Sequence, residues 1–95
     1  MSTWNEHLRL TLLRFLSGAQ GYKANSSILH SAAEDFGLSA SRDQIKTELA
    51  WLCEQGLVNC HDLAGLTVAS LTQRGLDVTA GRCTVPGVQR SSPVG

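Results

Sequence analysis

Three cysteines, Cys53, Cys60 and Cys83, and three histidines, His7, His30 and His61, are the side chains of this 95-residue sequence best suited to holding a soft metal. Their spacing does not gather them. Paired ligands usually come as C-x-x-C or H-x-x-x-H, and the one adjacent couple, Cys60-His61, would point to opposite faces of a strand. The expectation is structural: Cys53 and Cys60 buried as small apolar side chains, the histidines facing solvent. Catalysis finds no firmer footing. Gly18, Gly21 and Gly37 are too far apart to make a phosphate-cradling loop. Glu34-Asp35 are neighbouring acids near a helix end, and no local motif brings a serine, a histidine and an acid together. No enzyme activity, cofactor, metal or small-molecule substrate is expected.

A different chemistry is offered by Ser41, Arg42, Gln44, Lys46 and Thr47. Arginine can fork onto a guanine edge and glutamine onto adenine, while serine and threonine bond bases or phosphates. To act together these residues need one helix. Ser41 followed by Gln44 reads as a capping box that starts it, Ile45, Leu49, Leu52 and Cys53 supply a buried stripe, and Gly56 ends it. A shorter helix precedes, capped at Asn25-Ser26-Ser27, with Leu29, Ala32, Ala33 and Phe36 on one face and Gly37 as its stop. Two helices joined by Gly37-Leu38-Ser39-Ala40 form a helix-turn-helix pattern.

The first helix is predicted over Asn5 to Ser17, with Leu8, Leu12, Phe15 and Leu16 on one face and Leu10 and Leu13 broadening it. After the third helix the period changes to two. Leu57 to His61 and Leu66 to Leu71 read as strands of a hairpin turned at Asp62-Leu63-Ala64-Gly65. Thr72 then caps a last short helix from Gln73 to Ala80, which Gly75 should weaken by about 1 kcal/mol relative to alanine. The fold class is therefore mainly α with a β-hairpin, in the order helix, helix, helix, strand, strand, helix. One domain over residues 1–81 is expected, followed by a flexible tail over 82–95 rich in glycine, proline and serine.

Composition sets the outer limits. A chain this short holds one small core, and 42% hydrophobic with 17% charged residues is ordinary for a globular protein. No apolar run is long enough to cross a membrane, and Met1 to Glu6 does not start a signal peptide. An odd cysteine count without paired spacing fits a reducing cytoplasm. Eight basic and eight acidic residues cancel, so any surface attractive to phosphate must be assembled by folding.

The stretch from Ser41 to Val58 resembles the recognition helix and first strand of winged helix-turn-helix proteins, above all in Leu52, three residues, then Gly56-Leu57-Val58. Leu71-Thr72-Gln73-Arg74-Gly75 resembles the exit from the second wing strand into the closing helix of the same proteins. The resemblance spans about residues 5–81. The layout is similar to small ArsR-like winged-helix proteins, including those of Mu-like phages and prophages, although the paired-cysteine motif of the metal-sensing members is missing. The resemblance implies a transcriptional regulator that binds double-stranded DNA, reading the major groove with the helix 41–55. Ser41, Arg42, Gln44, Lys46 and Thr47, with Ala50 one turn on, would face the bases, and Lys23 would hold a phosphate.

Other residues pull the other way. The face opposite Ile45, Leu49 and Leu52 is centred on Asp43, Thr47 and Glu54, and two of these repel phosphate. The hairpin tip is apolar and acidic. A homodimer is expected to make up for a neutral monomer by doubling its phosphate contacts, through the broad apolar first helix with Trp4, Leu8 and Leu12. Trp51 is either a partner interface or a ring covered by the hairpin or the last helix. The alternative reading is a phage-type protein-interaction or assembly module that does not bind DNA.

Overall fold

The computed structural model describes residues 3–90. Helix α1 spans Thr3–Gly18 and leads through a 3-10 turn, Gln20–Tyr22, into a short strand β1, Lys23–Asn25. Helices α2, Ser26–Asp35, and α3, Arg42–Glu54, follow, then strands β2, Val58–Leu63, and β3, Leu66–Leu71, and helix α4, Gln73–Thr79. The result is a small α+β domain of four α-helices and a three-stranded antiparallel sheet, compatible with a winged helix-turn-helix.

The sheet order is β1-β3-β2. Strand β1 was not anticipated, because three residues are too few to display a period of two. It pairs Lys23 with Ser70, Ala24 with Ala69 and Asn25 with Val68, giving β3 a partner on both sides. Asn25 then does a second job. Its side-chain oxygen accepts from the amide of Ile28 at 2.9 Å and starts α2. Ser26, buried at that helix start, accepts from the amide of Thr67 at 3.2 Å and ties α2 to β3.

Helix α1 is enclosed by its own chain. Leu8, Leu12, Leu13 and Leu16 are fully buried, and Leu10 and Thr11 nearly so. The apolar residues on several sides of this helix are covered within the protomer by α2, α4 and β3. Leu8 and Leu12, expected at a dimer contact, are therefore core residues, and Trp4 packs half-buried against the same core.

The buried faces of α2 and α3 depart from their predicted stripes. Phe36 follows the last turn of α2, where the chain is already leaving the helix, and is 64% exposed. Cys53 is exposed, whereas Glu48 is buried beside Ile45, Leu49 and Leu52.

In the hairpin, pairing continues to Leu63 opposite Leu66, leaving a two-residue turn of Ala64 and Gly65. Both have positive φ, 52° and 80°, as the primed turns favoured by twisted hairpins demand. The side chain of Thr72 caps α4 by accepting from the amide of Gly75 at 3.0 Å. Gly75 is not a weak point there. A methyl group at its α-carbon would collide with the carbonyl oxygen of Leu57 and lie 2.6 Å from Leu71 Cδ1, so glycine is what lets α4 approach so closely.

Residues 82–90, expected to belong to a mobile tail, pack onto the domain. Val85 and Val88 are buried in the core, and the amide of Gln89 donates to the carbonyl of Glu6 at 3.1 Å. Two valines spaced by three residues outweighed the Pro86-Gly87 signal. Residues 91–95 of the expected tail lie outside the described residues.

Candidate nucleic-acid interface

The first turn of α3 is closed by the capping box expected for it. Ser41 Oγ accepts from the amide of Gln44 at 3.0 Å, and Gln44 Oε1 accepts from the amide of Ser41 at 2.9 Å. Two of the six residues expected to face DNA on this helix thus hold its start, and Gln44 keeps its amide donors for a ligand. Arg42, Gln44, Lys46, Thr47 and Ala50 are all exposed. Asp43, Thr47 and Glu54, the centre of the face opposite the core, are exposed as well.

Arg42 and Lys46 are brought together by packing. Both line a small cavity of about 90 Å³ with Ser26 and Ser27 of α2 and Gly65 and Leu66 of the hairpin. Lys46 Nζ donates to the carbonyl of Gly65 at 3.1 Å, so the hairpin turn orients it. Among the described residues, no carboxylate pairs with Arg42 or Lys46. Ser26 and Ser27 are the first two residues of α2, and a helix start carries partial positive charge. Lys23 is exposed on β1, two residues before the α2 cap, and does not line this cavity.

Arg9 and Arg82 are committed elsewhere. Arg9 Nε bonds Glu48 Oε1 at 2.5 Å, and Arg9 Nη1 donates to the carbonyl of Gly87 at 2.9 Å. Asn5 Nδ2 completes the site by donating to Glu48 Oε2 at 3.0 Å. The Arg9 guanidinium also lies 4.0 Å from the centroid of the Trp51 ring, within cation–π range. Trp51 is therefore capped by Arg9 and Gly87, neither of which belongs to the hairpin or to α4. Arg82 pairs with Asp77 at 3.0 Å.

The hairpin tip offers no cation. His61, Asp62, Leu63, Ala64 and Gly65 are exposed, Leu63 at 62%. Of the two cysteines expected in the core, Cys60 packs half-buried against it and Cys53 is exposed, and both line one open groove with Lys46, Ala50, His61, Asp62 and Thr67. Burial pushes the Cys60 thiol up to about 11, and the neighbouring Cys53 adds to the rise. Among the described residues no three metal-ligating side chains cluster, and no helix is long and apolar enough to cross a membrane.

Sequence reasoning missed Glu48 and Arg9. Glu48 follows Ile45 by three residues and precedes Leu49, the i+3 place of the buried stripe. A carboxylate there needs a buried partner, and that signal was available.

The class defined so far is a small α+β domain that presents one polar helix face beside a hairpin. Its relatives include a phage protein. The chain is 42% identical over 88 residues to protein gp26 of Escherichia phage Mu, covering 93% of this chain and 91% of that one. It is 46% identical over 76 residues to a protein of Haemophilus influenzae Rd, covering 79% and 74%. The chain belongs to the family of phage Mu gp26. No family model matches it, and no solved structure matches it.

Proposed function

We propose that this chain is a winged helix-turn-helix protein that binds double-stranded DNA with the exposed face of α3, as a transcriptional regulator of its phage-type family would. The observation that carries the reading is the corner where Arg42 and Lys46, without carboxylate partners among the described residues, meet Ser26 and Ser27 at the start of α2. Anchoring a phosphate there would lay α3 along the major groove, with Gln44, Thr47 and Ala50 toward the bases. The element order and the antiparallel hairpin after α3 support the same reading. Since α1 is enclosed, a second copy on an adjacent half-site would have to pair through another surface.

Duplex binding at two salt concentrations, followed by fluorescence anisotropy, tests the proposal. The wild type should bind random duplex at low salt and weaken as salt rises. Arg42→Ala/Lys46→Ala should bind less tightly and with a flatter salt dependence. No binding at low salt would overturn the reading.

The second reading, a protein-interaction module, is supported by apolar exposure away from α3. Ile28 lines an open groove with Phe15, Ser31 and Ala32, and Phe36 is bare at the end of α2. It becomes the preferred reading if the duplex is ignored.

A further inference from the structure

Lys46, Ala50 and Cys53 follow one another at i, i+4 and i+7, so they form one stripe along α3. That stripe makes one wall of the groove whose other wall is Cys60, His61, Asp62 and Thr67, enclosing about 310 Å³. Cys60 Sγ donates to the carbonyl of Leu49 at 3.8 Å. In a helix that carbonyl points at the amide of Cys53, and helical side chains lean toward the N-terminus. Both thiols are therefore held at the same helical turn. Their surroundings differ, since Cys53 is exposed and Cys60 half-buried. Cys83 belongs elsewhere, with its sulfur beside the carbonyl of Arg74.

We propose that Cys53 and Cys60 are a reversible dithiol site, which low-molecular-weight disulfides convert into an intramolecular disulfide at the edge of the exposed face of α3. The exposed Cys53 thiolate attacks one sulfur of R–S–S–R, forming Cys53–S–S–R and expelling R–S⁻, which takes up a proton. Cys60 then loses its proton to solvent and attacks the Cys53 sulfur, expelling the second R–S⁻. The protein loses two hydrogens, and the small disulfide is reduced to two thiols. The high proton affinity of Cys60 makes it the resolving partner and not the first to react. The new bond would clamp β2 to α3 beside Lys46 and Ala50. Its effect on duplex binding rests on the DNA-binding reading; its formation does not.

The test treats the full chain with oxidised glutathione, blocks remaining thiols by alkylation and maps unreduced peptides by mass. A link between Cys53 and Cys60 within one chain is expected, with Cys83 alkylated and dithiothreitol restoring all three thiols. Cys60→Ser should stop at glutathione on Cys53. Stable glutathione on Cys53 of the wild type, or a link that involves Cys83 or a second chain instead, would overturn the proposal. Mapping needs no DNA, so its outcome is separate from failure to bind a duplex. Where the duplex is bound, oxidised protein should lose affinity and the Cys53→Ser variant should be indifferent to glutathione.

Discussion

Gly87 lies so close to Trp51 that a methyl group on its α-carbon would come within 2.6 Å of Cζ2 and 2.8 Å of Cη2. The contact joins the C-terminal segment to α3, and the φ of +99° there is one that side chains disfavour. Gly87→Ala should therefore cost about 1–3 kcal/mol from overpacking and backbone strain together. Urea unfolding would show a lower midpoint with little change in slope. An unchanged midpoint would mean that the segment does not hold Trp51 in solution.

The same ring is faced by Arg9, whose bond to the buried Glu48 spans two helices. Removing one member of such a pair leaves the other charged and poorly solvated. Arg9→Ala and Glu48→Ala should each destabilise by roughly 3 kcal/mol, and the double variant by clearly less than the sum. Additive losses in a thermal or urea double-mutant cycle would show that the two do not depend on each other.

Gly75→Ala sets two effects against each other. Helix propensity favours alanine by about 1 kcal/mol in α4. The added methyl group meets the Leu57 carbonyl and Leu71, and a backbone atom in a hairpin root cannot swing away. Destabilisation beyond 1 kcal/mol is expected by calorimetry or urea. A stabilised variant would show that α4 stands further from Leu57.

Much of this fold was legible because its signals are local. The capping box of Ser41 and Gln44, the hairpin before Thr72 and the buried stripe of α3 each depend on residues within a few positions. Strand β1 and the packing of Val85 and Val88 depend on distant partners, and no local pattern announces them. For the candidate site, the exposure of Lys46, Thr47 and Ala50 followed from the period of the helix. Arg42, three residues before Ile45, sits near the buried stripe by period and is exposed as the first residue of α3. The meeting of Arg42 and Lys46 with Ser26 and Ser27 was not legible, because it depends on how α2 crosses α3. Phe36 was misplaced because the chain is already leaving α2 there, and Cys53 because it sits at the edge of the buried stripe, on the row of Lys46 and Ala50.

The hairpin turn carries removable strain. Ala64 adopts φ of +52°, a conformation costing an alanine roughly 1 kcal/mol that asparagine tolerates better. Ala64→Asn should raise the melting temperature by a few degrees, on the order of 4–8 °C per kcal/mol for a domain of this size. No side chain of α3 changes, so duplex affinity should stay as in the wild type. A lower melting temperature would mean that the turn is not of the primed type.

Asp43 gives the most direct test of which way α3 faces. It lies in the first turn, where a carboxylate favours the helix dipole by about 0.3–1 kcal/mol. It is also exposed between Arg42 and Gln44, where a phosphate would meet it. Asp43→Asn should therefore lose a few tenths of a kcal/mol in stability while gaining about threefold in duplex affinity at low salt, the effect of one charge at partly screened separation. The slope of log affinity against log salt should hold, because no cation has been added to displace counterions. Lys46→Ala, by contrast, should lower that slope by about 1. Anisotropy titrations over a salt series measure both. If Asp43→Asn leaves low-salt affinity unchanged while the protein still binds, the first turn of α3 points away from the duplex, and the contact must be sought on Lys23, Arg74 or Arg90.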